Sequence, residues 1–232
     1  QTPLFLASPE TNRFELIAKA NGKDIDLYQL YYQKEVGKKG DSTLITFQAN
    51  ADGGWIRHSY TIPPSGFQVR YKLETSNLAE LGNQNLVYRW EDQMPLVEKD
   101  INDSRNKTTV NYYLKNGEFD GFSQTSLDQE ETVLTENIKW ISMRQKFFVS
   151  SIIADHSFAG GEIRMIGNAA DSTIVKKANL ETYIPSADVA SGKASFVYFF
   201  GPNDWDIVTQ VTPGFEENLD LGFPPMSWIN RF

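Results

Sequence analysis

The sequence contains no cysteine, which excludes disulfides, thiolate metal sites and thiol nucleophiles. No run approaches the roughly 18 consecutive apolar residues that a membrane-spanning helix needs. Cations are also few, because Lys+Arg total 22 against 30 Asp+Glu, which gives a formal net charge of −8 and a pI near 4.9. Phosphate neutralisation needs clustered Lys and Arg, so this balance argues against a nucleic-acid partner.

Short alternating segments separated by turn residues predict a mostly-β chain. Hydrophobic residues make up 40% and charged residues 22%, which is ordinary for a domain with a core. Alternation is clear at Phe67, Val69, Tyr71 and Leu73, as expected of a half-solvated antiparallel strand. With turn signals such as Asn116-Gly117 and no βαβ rhythm, the pattern predicts one large antiparallel twisted β-sandwich.

Two polar stretches receive specific predictions. The stretch from Glu91 to Lys107 is acidic and contains Pro95, so we expect a long exposed connection or an edge region rather than a buried strand. Asn203 or Asp204 is placed to N-cap a short C-terminal helix that runs to about Val211.

The ionisable residues offer few catalytic or metal-binding arrangements. His58 suits either a general base or metal ligand, or a strand histidine with an ordinary hydrogen bond; no HxH or HExxH spacing accompanies it. His156 follows Asp155 in a segment that we expect to be a loop. The adjacent acids Glu130-Glu131 and Glu216-Glu217 face opposite sides if they lie on strands, which does not make a glycosidase pair. We therefore predict no catalytic residue, no metal site and no cofactor.

Aromatic residues are 13% of the chain, and they suit either the space between two packed sheets or a sugar or peptide groove. The last residues form an unusually apolar segment. We therefore divide the chain into a sandwich domain, residues 1–218, and a C-terminal tail, residues 219–232. The tail is either an interfacial segment leading towards a membrane or a segment docked on its own domain. Its candidate membrane-facing or partner-facing residues are Phe223, Trp228, Ile229, Arg231 and Phe232.

Several longer stretches resemble one protein family. They are Leu86-Val87-Tyr88-Arg89-Trp90, the segment from Thr108 to Tyr113, Asn137-Ile138-Lys139-Trp140 followed by Gln145-Lys146-Phe147-Phe148, Phe196-Val197-Tyr198-Phe199-Phe200-Gly201-Pro202, and Leu219-Asp220-Leu221-Gly222. Taken together and in this order, they resemble the large periplasmic domain of the YidC membrane protein insertases, in a form like that of the Bacteroidetes.

The resemblance implies a supersandwich similar to that of galactose mutarotases, placed between the first and second transmembrane helices at the periplasmic face of the inner membrane. It implies that an interfacial helix and a transmembrane region, both absent from this chain, follow the tail. The implied partners are the protein's own membrane core, nascent membrane proteins and accessory subunits of the Sec translocon. The implied role is noncatalytic support of membrane protein insertion and folding.

The aromatic content and the mutarotase-like fold leave an alternative function, a carbohydrate-binding or carbohydrate-modifying module. A sugar site needs an aromatic platform with convergent polar groups, and the two histidines fit the mutarotase site poorly. For the membrane-associated alternative, the acidic surface should weaken attraction to anionic headgroups. We therefore expect any approach to the bilayer to depend on the tail and to resist high salt.

Overall fold

A computed structural model describes residues 6–20, 22–51, 53–78, 81 and 83–219. The five candidate tail residues, Phe223, Trp228, Ile229, Arg231 and Phe232, lie outside the described residues. No helix within those described ranges is long and apolar enough to cross a bilayer.

The described chain contains strands and a few short helical segments. In order, the strands are β1 Asn12–Ala20, β2 Lys23–Asp26, β3 Gln33–Lys39, β4 Ser42–Ala51, β5 Gly54–Ile62, β6 Gln68–Ser76, β7 Leu86–Pro95, β8 Thr109–Leu114, β9 Phe119–Gly121, β10 Glu130–Leu134, β11 Ile138–Arg144, β12 Phe148–Phe158, β13 Gly161–Ile166, β14 Ile174–Ile184 and β15 Ser195–Pro202. The α-helices are α1 Ile101–Arg105, α2 Ser186–Ala190 and α3 Trp205–Val208, and Leu27–Gln29 and Phe215–Asn218 are single turns of 3-10 helix.

These strands form two antiparallel sheets. The six-stranded sheet has the order β10-β13-β14-β7-β1-β2, and the nine-stranded sheet has the order β3-β4-β5-β6-β15-β12-β11-β8-β9. The prediction of a large antiparallel β-sandwich is therefore confirmed. Kinship with galactose mutarotases stays an expectation.

Aromatic side chains fill the space where the two sheets face each other. Tyr88 and Trp90 of β7 lie against β15, with ring centroids 5.2 Å apart for Tyr88 and Phe196 and 5.7 Å apart for Trp90 and Phe200. Tyr71, Tyr88, Trp90 and Phe196 are almost completely buried. Of the two roles considered for the aromatics, packing between sheets accounts for these four residues.

A second apolar cluster covers the outer face of the nine-stranded sheet. The segment after β15 folds back so that Phe215 lies between Trp140 and Phe199, with ring centroids 5.2 Å from each. The Asn218 side chain accepts hydrogen bonds from Asn111 and Ser142 beneath it. Residues up to Leu219 therefore pack on the sandwich.

The expectation of an exposed connection or edge region from Glu91 was wrong for its first part. Glu91 to Pro95 continue β7, which lies inside the six-stranded sheet between β14 and β1. Asp92 points inward between Trp90 and Met94 and is fully buried. The alternation of β7 thus continues through an acidic residue that local chemistry would place in solvent.

The predicted C-terminal helix exists but is shorter than expected. The Asp204 carboxylate accepts a hydrogen bond from the Asp206 backbone N–H, as an N-cap does, and α3 ends at Val208 rather than near Val211.

Candidate interaction surface

His58 lies in a buried hydrogen-bond chain. The Tyr32 hydroxyl is 2.5 Å from the Leu27 carbonyl oxygen and 2.8 Å from His58 Nε2, and the Tyr71 hydroxyl is 2.7 Å from His58 Nδ1. Because Tyr32 donates to the carbonyl, it accepts from Nε2–H, and Tyr71 therefore donates to Nδ1. Burial lowers the pKa of His58 to about 4. The imidazole is neutral, fully engaged and only 2% exposed, which favours the strand-histidine interpretation.

The remaining sequence candidates are not brought together. His156 is exposed on β12, beside an Asp155 whose carboxylate is held by Arg70 and Ser195. Glu131 pairs with Arg164 at 3.2 Å, while Glu216-Glu217 lie in the 3-10 turn at Phe215–Asn218. Among the described residues, no group of three or more His, Cys, Asp or Glu side chains could hold a metal ion.

An aromatic cleft of about 500 Å³ opens between β1 and the nine-stranded sheet. It is lined by Ala7, Phe14, Tyr28, Tyr60, Val69, Tyr198 and Phe200. The described residues that line it include no carboxylate, histidine, lysine or arginine. The cleft therefore suits apolar contact better than sugar chemistry, which needs convergent polar groups.

Three exposed apolar side chains mark one end of the sandwich, which we call the apolar end. Phe67, Val97 and Phe147 are 42%, 40% and 48% exposed. Phe67 immediately precedes β6, and its carbonyl oxygen accepts a hydrogen bond from Phe200. Phe147 precedes β12, and its carbonyl accepts from Asn203, just after β15. Val97 lies two residues after the end of β7.

Both ends of the described chain lie at the apolar end. β1 begins at Asn12, opposite Asp92 near the last residue of β7. β7 and β15 run in the same direction, since Tyr88 meets Phe196 and Trp90 meets Phe200. At the C-terminal side, Asn203 donates a hydrogen bond to the Asn218 carbonyl oxygen. The chain thus enters and leaves the sandwich near the end of β15.

Charge at the apolar end is mixed. Lys146 pairs with Asp103 at 2.6 Å and lies 4.8 Å from the ring centroid of its neighbour Phe147. Two further acidic residues, Asp100 and Glu98, act on the Lys146 ammonium and help to raise its pKa. This end of the sandwich therefore combines exposed rings with paired charges rather than a cationic patch.

The sequence did not indicate that Asp92 is buried. Neither carboxylate oxygen makes a hydrogen bond of normal geometry with any described residue. Burial raises its pKa to about 7, and the Asn12 side chain opposite offsets this only in part. Only the continued inward alternation of Tyr88, Trp90 and Met94 could have indicated that Asp92 is buried.

The fold and these surfaces define a β-sandwich domain with exposed apolar side chains at one end. The family model of the YidC periplasmic domain matches residues 1–232. The chain belongs to that family, as the sequence resemblance predicted.

Relatives named as membrane protein insertase YidC align with almost the whole chain. The protein from Cytophaga hutchinsonii is 36% identical over 99% of this chain and 39% of its own length. That from Amoebophilus asiaticus is 30% identical over 91% and 35%, respectively. One from Porphyromonas gingivalis is 26% identical over 99% and 38%. The chain thus spans less than two-fifths of the length of these relatives.

Proposed function

We propose that this chain is the noncatalytic periplasmic domain of a YidC-type insertase and that its apolar end faces the inner membrane. The observation that carries the proposal is that both ends of the described chain meet at the end of the sandwich that exposes Phe67, Val97 and Phe147. A domain held by membrane segments on both sides needs both connections on its membrane side.

The proposed role is to support insertion and folding of inner-membrane proteins. Its partners are the membrane core of the same protein, nascent membrane proteins and, at the periplasmic face, accessory subunits of the Sec translocon. Exposed aromatic side chains suit such contacts because their rings add apolar contact area at an interface.

A noncatalytic role agrees with the state of the ionisable groups. His58 is closed into a hydrogen-bond chain with two tyrosines, and Asp155 is occupied by Arg70 and Ser195. The His58 ring is only 2% exposed and the Asp155 carboxylate is paired with the Arg70 guanidinium, so neither is placed as an accessible general base. The aromatic cleft has no carboxylate among its described lining, so a carbohydrate-modifying role receives less support.

The tail provides a direct test of bilayer contact. Because Leu219 packs on the sandwich, the deletion should start at residue 220. We expect the chain lacking residues 220–232 to keep its urea unfolding midpoint but to co-float less with phospholipid vesicles than the full chain. Flotation of the full chain should also resist raised salt if apolar contact dominates.

A second variant tests the apolar end itself: it replaces Phe67 and Phe147 with serine and retains the tail. We expect a partial loss of flotation from this variant. Unchanged flotation after both the deletion and the double substitution would contradict a membrane-facing role for this end.

A further inference from the structure

β3 is an edge strand that is open along its whole length. Among the described strands it pairs only with β4, in an uninterrupted register from Gln33 opposite Gln48 to Lys39 opposite Ser42. All seven residues are exposed, and the strand contains no proline. The backbone groups on its free side therefore form a regular template to which another strand can add.

A glycine lies in the middle of this strand without a conformational reason. Gly37 has no positive φ, so an L-residue could adopt its backbone conformation. A Cβ built at Gly37 meets no described atom within 4 Å, so crowding does not require glycine either. Glycine weakens a strand interior and often marks a place where another backbone or a ligand approaches closely.

The gap at Gly37 opens into what we call the edge cleft, with a volume of about 350 Å³. Its lining is Gln33, Glu35, Val36, Gly37, Leu44, Thr46, Gln48 and Arg57. The Arg57 guanidinium donates two hydrogen bonds to Gln48, at 2.6 and 3.0 Å, and lies 4.7 Å from the centroid of the Trp55 ring. The floor of the cleft is therefore held in place before anything binds.

Lysines flank an apolar residue on the opposite face of β3. Strand alternation places Lys34, Val36 and Lys38 on the same side, and Val36 is 62% exposed. A second copy of the chain, paired antiparallel about Val36, would set Lys34 opposite Lys38 of the other copy, and like charges directly opposite destabilise a strand pair. Charge complementarity instead favours an acidic partner.

We infer that β3 is a docking edge for an extended segment of a partner protein in which acidic residues flank an apolar residue. The segment adds to β3 as a tenth strand next to the nine present. Its backbone hydrogen-bonds to the free side of β3, its acidic side chains meet Lys34 and Lys38, and one side chain on the other face occupies the edge cleft over Gly37. Such strand addition takes affinity from main-chain bonds and specificity from pockets for alternate side chains.

The probe is a fluorescein-labelled peptide, Ser-Glu-Leu-Val-Thr-Glu-Ser, capped at its free end. In an antiparallel register its two Glu residues face Lys38 and Lys34, and its Leu faces Gly37. We expect a saturable rise in fluorescence anisotropy with the 232-residue chain that weakens as salt is raised. Hydrogen exchange should slow at the backbone amides on the free side of β3.

Gly37→Val is the decisive variant. It fills the edge cleft at a position with room for a side chain, so the melting temperature should stay the same or rise. Peptide affinity should fall by about tenfold or more. The double variant Lys34→Glu/Lys38→Glu should lose affinity equally, whereas Lys19→Glu/Lys23→Glu, with the same charge change on β1 and β2, should not.

Four results would overturn the inference. Absence of saturable binding up to about 1 mM peptide would exclude strand addition by such a segment. Binding that Gly37→Val leaves unchanged would exclude the edge cleft as the pocket for its side chain. Binding to phosphatidylglycerol vesicles that needs Lys34 and Lys38 but not Gly37 would assign the lysines to a lipid surface. A concentration-dependent dimer abolished by Gly37→Val would assign the edge to a second copy of the chain.

Discussion

Asp92 shows how far burial can change the chemistry of one residue. Its carboxyl is fully buried on β7 and its pKa is raised to about 7. The unfolded chain would release this proton near pH 4. Between about pH 4 and pH 7 the folded state therefore keeps a proton that the unfolded state has lost. Asp92 does not reduce the free energy of unfolding below about pH 4, and it reduces it increasingly as the pH rises to about 7.

Replacement by asparagine should reveal this penalty. Since one pKa unit corresponds to about 1.4 kcal/mol and the pKa of Asp92 rises from near 4 to about 7, Asp92→Asn should increase the free energy of unfolding by roughly 4 kcal/mol at pH 8. The gain should shrink towards zero near pH 4. Urea unfolding at pH 8, 6 and 4 measures the trend, and Asp128→Asn at an exposed position should change stability by less than about 0.5 kcal/mol throughout. A gain independent of pH would show that Asp92 is not the titrating group.

At this scale the sequence predicted some environments and missed others. The absence of a metal or catalytic spacing around His58 left a strand histidine as one of its two interpretations, and the structure shows it hydrogen-bonded between Tyr32 and Tyr71. Its tautomer could not be predicted, because Tyr71 and Tyr32 reach it from β6 and from the β2–β3 connection, through the tertiary fold. Asp92 was missed because acidic residues are normally solvated.

At the scale of elements, the alternation of Phe67, Val69, Tyr71 and Leu73 correctly predicted a half-solvated strand, β6, in which Tyr71 and Leu73 are buried and Arg70 is exposed. Prediction failed from Glu91 to Pro95, because a strand between two neighbours can bury an acid when the sheet around it is stable. The packing of Phe215–Asn218 over Trp140 was not predicted either. That contact joins residues far apart in sequence, and no local period encodes it.

The turn Phe215–Asn218 should fold and unfold together with the sandwich. Phe215 is fully buried between two aromatic rings, so Phe215→Ala should lower the free energy of unfolding by about 3–5 kcal/mol. Phe147→Ala, at a side chain that is 48% exposed, should cost less than about 1 kcal/mol. Urea unfolding of both variants measures the difference. Equal, small losses would mean that the segment after β15 is an independent appendage.

For the whole molecule, composition and strand pattern predicted the sandwich, and the family followed from segments spread along the chain. That both ends of the described chain lie at the apolar end could not be predicted from the sequence. It depends on β7 and β15 running in the same direction in different sheets. The open edge at β3 was equally hidden, because Gly37 looks like an ordinary turn or flexible residue until its neighbours are placed.

The orientation of the domain at the membrane is the central claim, and the lack of cysteine makes it measurable with single spin labels. One label replaces Phe147 at the apolar end, and the other replaces the exposed Ala187 in α2, at the opposite end. The eight residues of β15 separate these ends by about 25 Å. The labelled 232-residue chain, bound to phospholipid vesicles, is then probed by collision with oxygen, which concentrates in lipid, and with a water-soluble nickel complex. We predict that the Phe147 label collides preferentially with oxygen and the Ala187 label with nickel; equal nickel access at both labels, or lipid contact at Ala187, would contradict the account.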